Sequence, residues 1–313
     1  MTLGEVIDAY VALQRARGVR FEGGRALLSQ FRREMGDPPI DHVCAEAVVN
    51  FLQGRGALSA TWLLKYRVLS GLYRFAIGRG HVDKSPLPMA TPKLPLQQTP
   101  YVYSNDELRR LLAATTSLHV AHSPLRAPMY RALLLLLYGS GLRIGEALRL
   151  TLRDVDLDEG VITVRDTKFY KSRLVPVGPK LAQELAAFAA LRRRHPLPDG
   201  EVSRFFTTRA GRGCSYQAIN IVFQRLRRAA GIVCPPGESK PSRLHDLRHT
   251  AAVHRVIAWY RSGQDVQRLL PHLATYLGHI DVKSTQRYLK MTPELLHEAS
   301  QRFSSYSQWG QPS

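Results

Sequence analysis

The stretch LHDLRHT, residues 244–250, places two histidines on either side of an acid and an arginine. On a helix His245 and His249 would lie one turn apart, as the zinc ligands of HExxH hydrolases do. Such sites also need a glutamate beside the first histidine and a third ligand. Asp246 takes the glutamate position, and nothing fixes the geometry of the later histidines, which are His254, His272 and His279. We therefore expect no bound metal.

His245 and Arg248, three residues apart, share a helix face in the same stretch. A guanidinium can donate two hydrogen bonds to a phosphate while the neighbouring imidazole accepts or gives a proton. A core histidine beside an ion-paired arginine would have the same spacing. The pair taken alone leaves both interpretations open.

The charge of the chain indicates what kind of partner fits it. Its 313 residues include 44 Lys and Arg against 25 Asp and Glu, a formal net charge of +19 with a pI near 10.3. This excess favours a polyanion such as nucleic acid. Three scattered cysteines, Cys44, Cys214 and Cys234, suit a reducing compartment inside the cell. No apolar segment nears the roughly 20 residues of a membrane span, and no secretion signal is expected.

Apolar residues recur at three- and four-residue spacing through residues 1–85, which predicts a small domain of short helices. The last helix would place Arg67 and Arg74 on one face, with Lys65 beside them. These three cations would contact either solvent or DNA, and we name them as candidate DNA contacts. Five prolines in residues 86–100 cannot continue a helix and predict an interdomain linker.

A second domain is predicted over residues 101–296. Ser104 and Glu107 have the capping-box spacing that begins a helix. The β-branched runs VITVR and RLVPV flank DTKFYKS, which predicts a hairpin with Lys168 and Lys171 at its turn. The remainder is predicted to be helical, so the expected fold is mainly α with a small antiparallel β-sheet.

Four segments occur in order within this second domain: GSGLRIGEALRL, TKFYKSRLVPV, LHDLRHT and LGHIDVKSTQRYL. Together they resemble the motifs of the tyrosine recombinases, also called the phage integrase family. The resemblance covers residues 101–296 in detail. Residues 1–85 match the position and size of the family's helical, SAM-like core-binding domain. The resemblance thus implies this core-binding domain followed by an α/β catalytic domain.

Carried onto this sequence, the resemblance implies that Tyr288 attacks a DNA phosphate and forms a 3′-phosphotyrosyl link. Arg143 and Arg248 would hold the nonbridging oxygens, on which charge accumulates in the transition state. Rival tyrosines near the motifs are Tyr170, Tyr260, Tyr276 and Tyr306. Tyr288 alone lies nine residues after His279, the family spacing. The covalent link conserves the phosphodiester energy, so no cofactor is expected.

Three further residues complete the implied catalytic set. Lys168 would protonate the leaving 5′-oxygen, and Lys171 is its rival. His245 would assist proton transfer, and His279 would donate a hydrogen bond to the phosphate.

Several charged residues beside these motifs have less defined roles. Glu146, one turn after Arg143, either braces that arginine or pairs with it on the helix surface. Arg173 and Arg243 adjoin motif residues, and we name them with Lys171 as candidate DNA contacts.

The function implied is that of a site-specific DNA recombinase or integrase. The long stretch between Arg248 and His279 favours integration, excision or transposition of a mobile element. The alternatives are a recombinase that resolves chromosomes or plasmids and a non-catalytic site-specific DNA-binding protein of the same fold. The implied partners are double-stranded DNA with inverted-repeat-like sites and a homotetramer on two such sites. Residues 297–313 would form a C-terminal tail, and the last segment, about 290–313, would dock on a neighbouring protomer. An accessory DNA-bending protein is left open, and the expected location is the bacterial cytoplasm, at the nucleoid.

Overall fold

The computed structural model describes residues 1–19, 21–94, 100–165, 172–234, 241–278 and 300. The chain splits into two units, residues 1–98 and residues 99–313. The split falls inside the stretch that the sequence predicts as a linker, while the finer domain limits stay predictions. Within the described ranges, no helix combines the length and the apolar character needed to cross a membrane.

The first unit is built from helices, as the apolar spacing predicts. They are α1 (Leu3–Ala16), α2 (Glu22–Met35), α3 (Ala45–Gln53) and α4 (Ala60–Gly78), with a 3₁₀ turn at Ile40–His42. Thr2 begins α1 through a capping box with Glu5, and Gly36 ends α2 in the left-handed conformation. Helix α4 packs against the other three and buries Leu69 and Leu72 completely.

Helices also make up most of the second unit. They are α5 (Asn105–Ala114), α6 (Arg126–Ser140), α7 (Ile144–Ala147), α8 (Pro179–Arg192), α9 (Tyr216–Ala229), α10 (Leu244–Arg261) and α11 (Val266–Leu277). Ser104 begins α5 through a capping box with Glu107, which confirms that prediction. Helix α6 is apolar on nearly every side, so it lies in the core, with α8 and α10 packed against it.

Three short antiparallel strands accompany these helices in the order β1 (Val155–Asp156), β2 (Val161–Val164) and β3 (Arg173–Pro176). Ile162 pairs with Val175, and both side chains are fully buried in the core of the second unit. The predicted β2–β3 pairing is therefore confirmed, as is the mainly α fold with a small antiparallel sheet. The predicted turn with Lys168 and Lys171 lies outside the described residues.

Between α8 and α9 the chain has a 3₁₀ turn at Gly200–Val202 and two isolated β-bridges, so the prediction that this stretch is helical is wrong. Pro196 and Pro198 lie shortly after the end of α8 and cannot continue a helix. Phe205 and Phe206 of this stretch are buried against Phe188 of α8. Apolar packing therefore orders the segment without a regular element.

The turn from α6 to α7 brings its backbone close to the end of α11. Gly141 ends α6 with a φ of 62°, a conformation that L side chains rarely adopt. A Cβ atom at Gly141 would lie 2.6 Å from Cδ2 of Leu277. Glycine is thus required here both by backbone conformation and by the close approach of α11.

Gly141→Ala is expected to destabilise the second unit more than Gly263→Ala. Gly263 has a φ of 70°, and a Cβ added there would meet no other part of the described chain within 4 Å, so its substitution measures the conformational cost alone. That cost is about 1 kcal/mol, and the contact with Leu277 adds at least about 1 kcal/mol. Urea unfolding of both variants measures the difference. Equal destabilisation would contradict the close approach.

Candidate functional site

Arg248 on α10 joins two separate parts of the second unit. Its side chain is almost fully buried, with 1% of the residue exposed. One guanidinium nitrogen donates to the carbonyl of Gly141 at 2.6 Å, and another donates to the carbonyl of Leu277 at 2.7 Å. Arg248 therefore holds the α6–α7 turn against the end of α11.

Arg143 also binds the carboxyl-terminal end of α11. It stands at the N-cap of α7, and 40% of its side chain is exposed. One nitrogen donates to Glu146 at 2.8 Å, while another donates to the carbonyl of Gly278 at 2.9 Å. Because Arg143 and Arg248 bind adjacent carbonyls, the two guanidinium groups converge on one point of the backbone.

Glu146 is the carboxylate that holds Arg143. It is buried, and its oxygens accept hydrogen bonds from the backbone and side chain of Arg143 and from two nitrogens of Arg173, at 3.1 and 2.8 Å. Burial alone would raise the pKa of Glu146, but the hydrogen bonds and charges of the two arginines outweigh it and hold that pKa at about 2. Of the two roles left open by the sequence, bracing is therefore the one that the structure has.

His245 lies at the start of α10 with its ring 4.9 Å from that of His249, at right angles. Its side chain reaches solvent, yet the packing around the ring lowers its pKa, and the charges of Arg248, Arg243 and Arg143 lower it further against the opposing effect of a nearby carboxylate. The imidazole is therefore neutral at pH 7 and can accept a proton.

Asp246, the acid of the LHDLRHT stretch, caps the start of α10. Asp246 is 1% exposed and accepts hydrogen bonds from the backbone nitrogen of Arg243 at 2.7 Å and from its guanidinium at 3.0 Å. Across the described ranges, no group of three or more His, Cys, Asp or Glu side chains is arranged to hold a metal ion. This geometry suits helix capping better than a zinc hydrolase motif.

The structure brings together three of the six residues that the resemblance marks as catalytic: Arg143, His245 and Arg248. The other three lie outside the described residues, as does one candidate DNA contact; these four are Lys168, Lys171, His279 and Tyr288. The rival Tyr276 donates its hydroxyl to the carbonyl of Pro176 at 3.2 Å, and burial raises its pKa. A hydroxyl so engaged is a poor nucleophile.

The candidate DNA contacts near the site take part in ion pairs. Arg173 pairs with Glu146 and has only 16% of its side chain exposed, whereas Arg243 pairs with Asp246 and is 47% exposed. The Arg143–Glu146 spacing pointed to a pair, but no local signal indicated that Arg173 would join it from β3. Their contacts with DNA stay predictions.

The candidate contacts on α4 differ in their surroundings. The ammonium of Lys65 donates to the carbonyl of Phe51 at 2.5 Å and lies 4.2 Å from the centroid of its ring. Lys65 thus binds the carboxyl-terminal part of α3. Arg67 and Arg74 are exposed on α4, as DNA contacts would need to be, and their role stays a prediction.

Comparisons with known proteins agree on one family. A model described as the phage integrase family matches residues 102–294. The chain is 33% identical over 306 residues to the putative integrase/recombinase y4rB of Sinorhizobium fredii, covering 96% of each. It is 34% identical over 251 residues to the tyrosine recombinase XerD of Mycobacterium leprae, covering 78% of this chain and 74% of that protein.

The fold also matches solved structures. The Tn1549 transposon integrase in complex with a circular intermediate DNA aligns with a TM-score of 0.69 at 18% identity, covering 95% of this chain and 99% of that chain. The likeness at this identity supports the fold, which confirms the predicted fold class.

Glu146→Gln is expected to remove a pH-dependent part of the stability. Because the folded pKa lies below the usual 4.5, the carboxylate stabilises the fold fully above pH 4.5 and loses this effect as the pH falls towards 2. The effect is about 3 kcal/mol at neutral pH. Urea unfolding at about pH 7 and about pH 3 measures the free energy of unfolding of wild type and variant. The two free energies should differ less at the lower pH. An unchanged difference would contradict the ion pairs described for Glu146.

Proposed function

Because the chain belongs to the phage integrase family, the tyrosine recombinases, we propose that it cleaves and rejoins DNA at specific sites through a 3′-phosphotyrosyl intermediate. The chain is a site-specific recombinase by family. The observation that carries the proposed mechanism is the convergence of Arg143 and Arg248 on adjacent carbonyls, with neutral His245 beside them.

The two arginines would bind the scissile phosphate. Both are fixed before DNA arrives, Arg248 by two backbone carbonyls and Arg143 by Glu146 and Gly278. A phosphate that gains charge in the transition state is stabilised most by cations that need not move. The bidentate fork of arginine matches two nonbridging oxygens. Arg143, with its partly exposed side chain, is the more accessible of the two.

The cleavage step would exchange one phosphoester for another. Oη of Tyr288 would attack the phosphorus, and the bond from phosphorus to the 5′-oxygen would break. Lys168 would give its proton to that oxygen, which leaves as a 5′-hydroxyl. The ordinary pKa of tyrosine is near 10, so the cations and a base must favour loss of its proton. A 5′-hydroxyl would then attack the phosphotyrosine, restore the phosphodiester and return a proton to Tyr288.

Two histidines would assist this exchange. The lowered pKa of His245 keeps its imidazole able to accept a proton at neutral pH. His279 would donate a hydrogen bond to a nonbridging oxygen. It follows Gly278 directly in the sequence, the residue whose carbonyl Arg143 binds.

DNA is the proposed partner, and the net charge of +19 supports a polyanion. We place the activity in integration, excision or transposition of a mobile element. The relative named an integrase/recombinase, which matches the chain over nearly its full length, supports this role. The XerD relative favours a second candidate role, resolution of chromosomes or plasmids.

The assembly that we propose is a homotetramer on two double-stranded sites with inverted-repeat-like sequences. The last segment, about residues 290–313, would dock on a neighbouring protomer, and an accessory DNA-bending protein would assist assembly. Arg67 and Arg74 would contact the phosphate backbone from α4. Such a complex would act at the bacterial nucleoid, in the cytoplasm.

Tyr288→Phe is expected to abolish a covalent protein–DNA adduct. The protein is incubated with double-stranded DNA from both flanks of its own gene in EDTA, denatured with SDS, and the attached DNA is sequenced. Wild type should retain DNA through a 3′-phosphate, because the hydroxyl of Tyr288 forms the covalent link and phenylalanine has no such nucleophile. Tyr260→Phe, a rival tyrosine on α10, is the matched control and should keep the adduct.

The outcomes separate the alternatives. Attached DNA from the ends of a mobile element supports that role, and a chromosomal junction supports resolution. An adduct that persists in Tyr288→Phe would show that another residue is the nucleophile. No adduct from the wild type would contradict the catalytic proposal and favour a non-catalytic DNA-binding protein.

As the pH is lowered, the rate of adduct formation is expected to decrease only below pH 6.5, the usual pKa of histidine. Because its neighbours lower the pKa of His245, the imidazole stays neutral down to a lower pH and then becomes protonated. His245→Asn should remove this acid limb, while His119→Asn, at an exposed position, should keep it. A limb centred above pH 6.5 would contradict the described surroundings of His245.

A further inference from the structure

The charges around Glu146 do not cancel in a simple pair. Two guanidinium groups, those of Arg143 and Arg173, share one buried carboxylate. Arg173 supplies two hydrogen bonds to it, one to each oxygen, whereas the side chain of Arg143 supplies one. The three residues together therefore carry one net positive charge.

A second capping arrangement in the same unit provides a comparison. Arg243 stands at the N-cap of α10 and binds Asp246 three residues later through its backbone nitrogen and its guanidinium, as Arg143 binds Glu146 at α7. Among the described residues, Asp246 has Arg243 as its sole arginine partner, so that pair is neutral. Arg173 is what makes the α7 arrangement different.

We infer that Arg173 is a positioning residue: as the counter-ion of Glu146 it leaves the positive charge of Arg143 available to the DNA phosphate. This inference rests on the proposed function. Without Arg173, the carboxylate would neutralise Arg143 at the place where a phosphate must bind. With Arg173 present, Glu146 can hold the Arg143 guanidinium in place and still leave it attractive to an anion.

The placement of Arg173 suits a role behind the site. Only 16% of its side chain is exposed, against 40% for Arg143. Its guanidinium lies against the backbone of Gly278, where a Cβ atom would come within 2.8 Å of its carbon and one nitrogen. It therefore packs against the residue whose carbonyl Arg143 binds. A side chain enclosed in this way can set the local charge and contact no DNA itself.

A double-mutant cycle tests this charge balance. The rate of adduct formation under single-turnover conditions is measured on the DNA trapped by wild type, for Arg173→Met, Glu146→Gln and the double variant. Arg173→Met should slow the reaction at least about tenfold. Removing the carboxylate as well restores the net charge. The double variant should therefore react at least about fivefold faster than Arg173→Met.

The matched control is Arg131→Met, which removes an arginine from a surface ion pair with Glu184 and should leave the rate unchanged. DNA affinity is measured in parallel over a range of salt concentrations. Arg173→Met should reduce the salt slope by up to about one, because Glu146 then neutralises Arg143, and the double variant should return the slope to the wild-type value. A direct phosphate contact of Arg173 would instead leave the slope reduced by about one in both variants.

The results test the role of Arg173 and the proposed function separately. A double variant no faster than Arg173→Met would overturn the inference and leave the proposed function intact, because wild type still forms the adduct. A salt slope that stays reduced in the double variant would overturn it too, in favour of a direct DNA contact. If wild type forms no adduct, that result would contradict both the proposed function and the inference that rests on it.

If circular dichroism shows that Arg173→Met does not fold, Arg173→Lys is measured in its place. Lysine keeps the positive charge beside Glu146 but cannot donate to both oxygens in the fork geometry. The charge balance predicts a rate within about threefold of wild type. A loss as large as that of an inactive variant would overturn the inference.

Discussion

The hydrogen bonds from two arginines to the backbone at the end of α11 are the constraint on which the site depends. Arg248 binds Leu277, and Arg143 binds Gly278, the next residue. Arg248 also binds Gly141, so the α6–α7 turn that carries Arg143 cannot move independently of α10. A buried guanidinium that loses its acceptors is costly, which makes these contacts stabilise one arrangement. The residues that continue the chain from Gly278 include His279 and Tyr288, so the same contacts set where the proposed nucleophile segment begins.

Charge is the second feature that links fold and chemistry. Burial would make Glu146 hard to ionise, yet two arginines keep its pKa at about 2. Burial lowers the pKa of His245, and the cations around the ring lower that pKa further, which keeps the imidazole neutral. The site thus contains fixed positive charge beside a neutral proton acceptor. That combination suits phosphoryl transfer, where an anion must be bound and a proton moved at neutral pH.

Local patterns in the sequence predicted much of this arrangement. Apolar spacing predicted the helices, Ser104 and Glu107 predicted the start of α5, and β-branched runs predicted the β2–β3 pairing. Contacts between distant residues were not predictable, because spacing says nothing about them: Arg248 binds Gly141 across 107 positions and Arg173 binds Glu146 across 27. The irregular stretch after α8 was missed because apolar residues there pack without periodicity. The motif resemblance located Arg143 and Arg248, and the spacing offered Glu146 as a partner of Arg143, but no local pattern indicated that Arg173 would share that carboxylate.

The proposed mechanism depends on Arg143, which would stabilise negative charge on the scissile phosphate. The most direct test replaces one nonbridging oxygen of that phosphate with a methyl group, which removes the charge. The rate defect of Arg143→Ala is then compared on the normal and the methylphosphonate DNA. If the guanidinium acts on phosphate charge, the defect should be large on normal DNA and nearly vanish on the neutral one. An equal defect on both would show that Arg143 supports only the local fold, and would contradict its catalytic role.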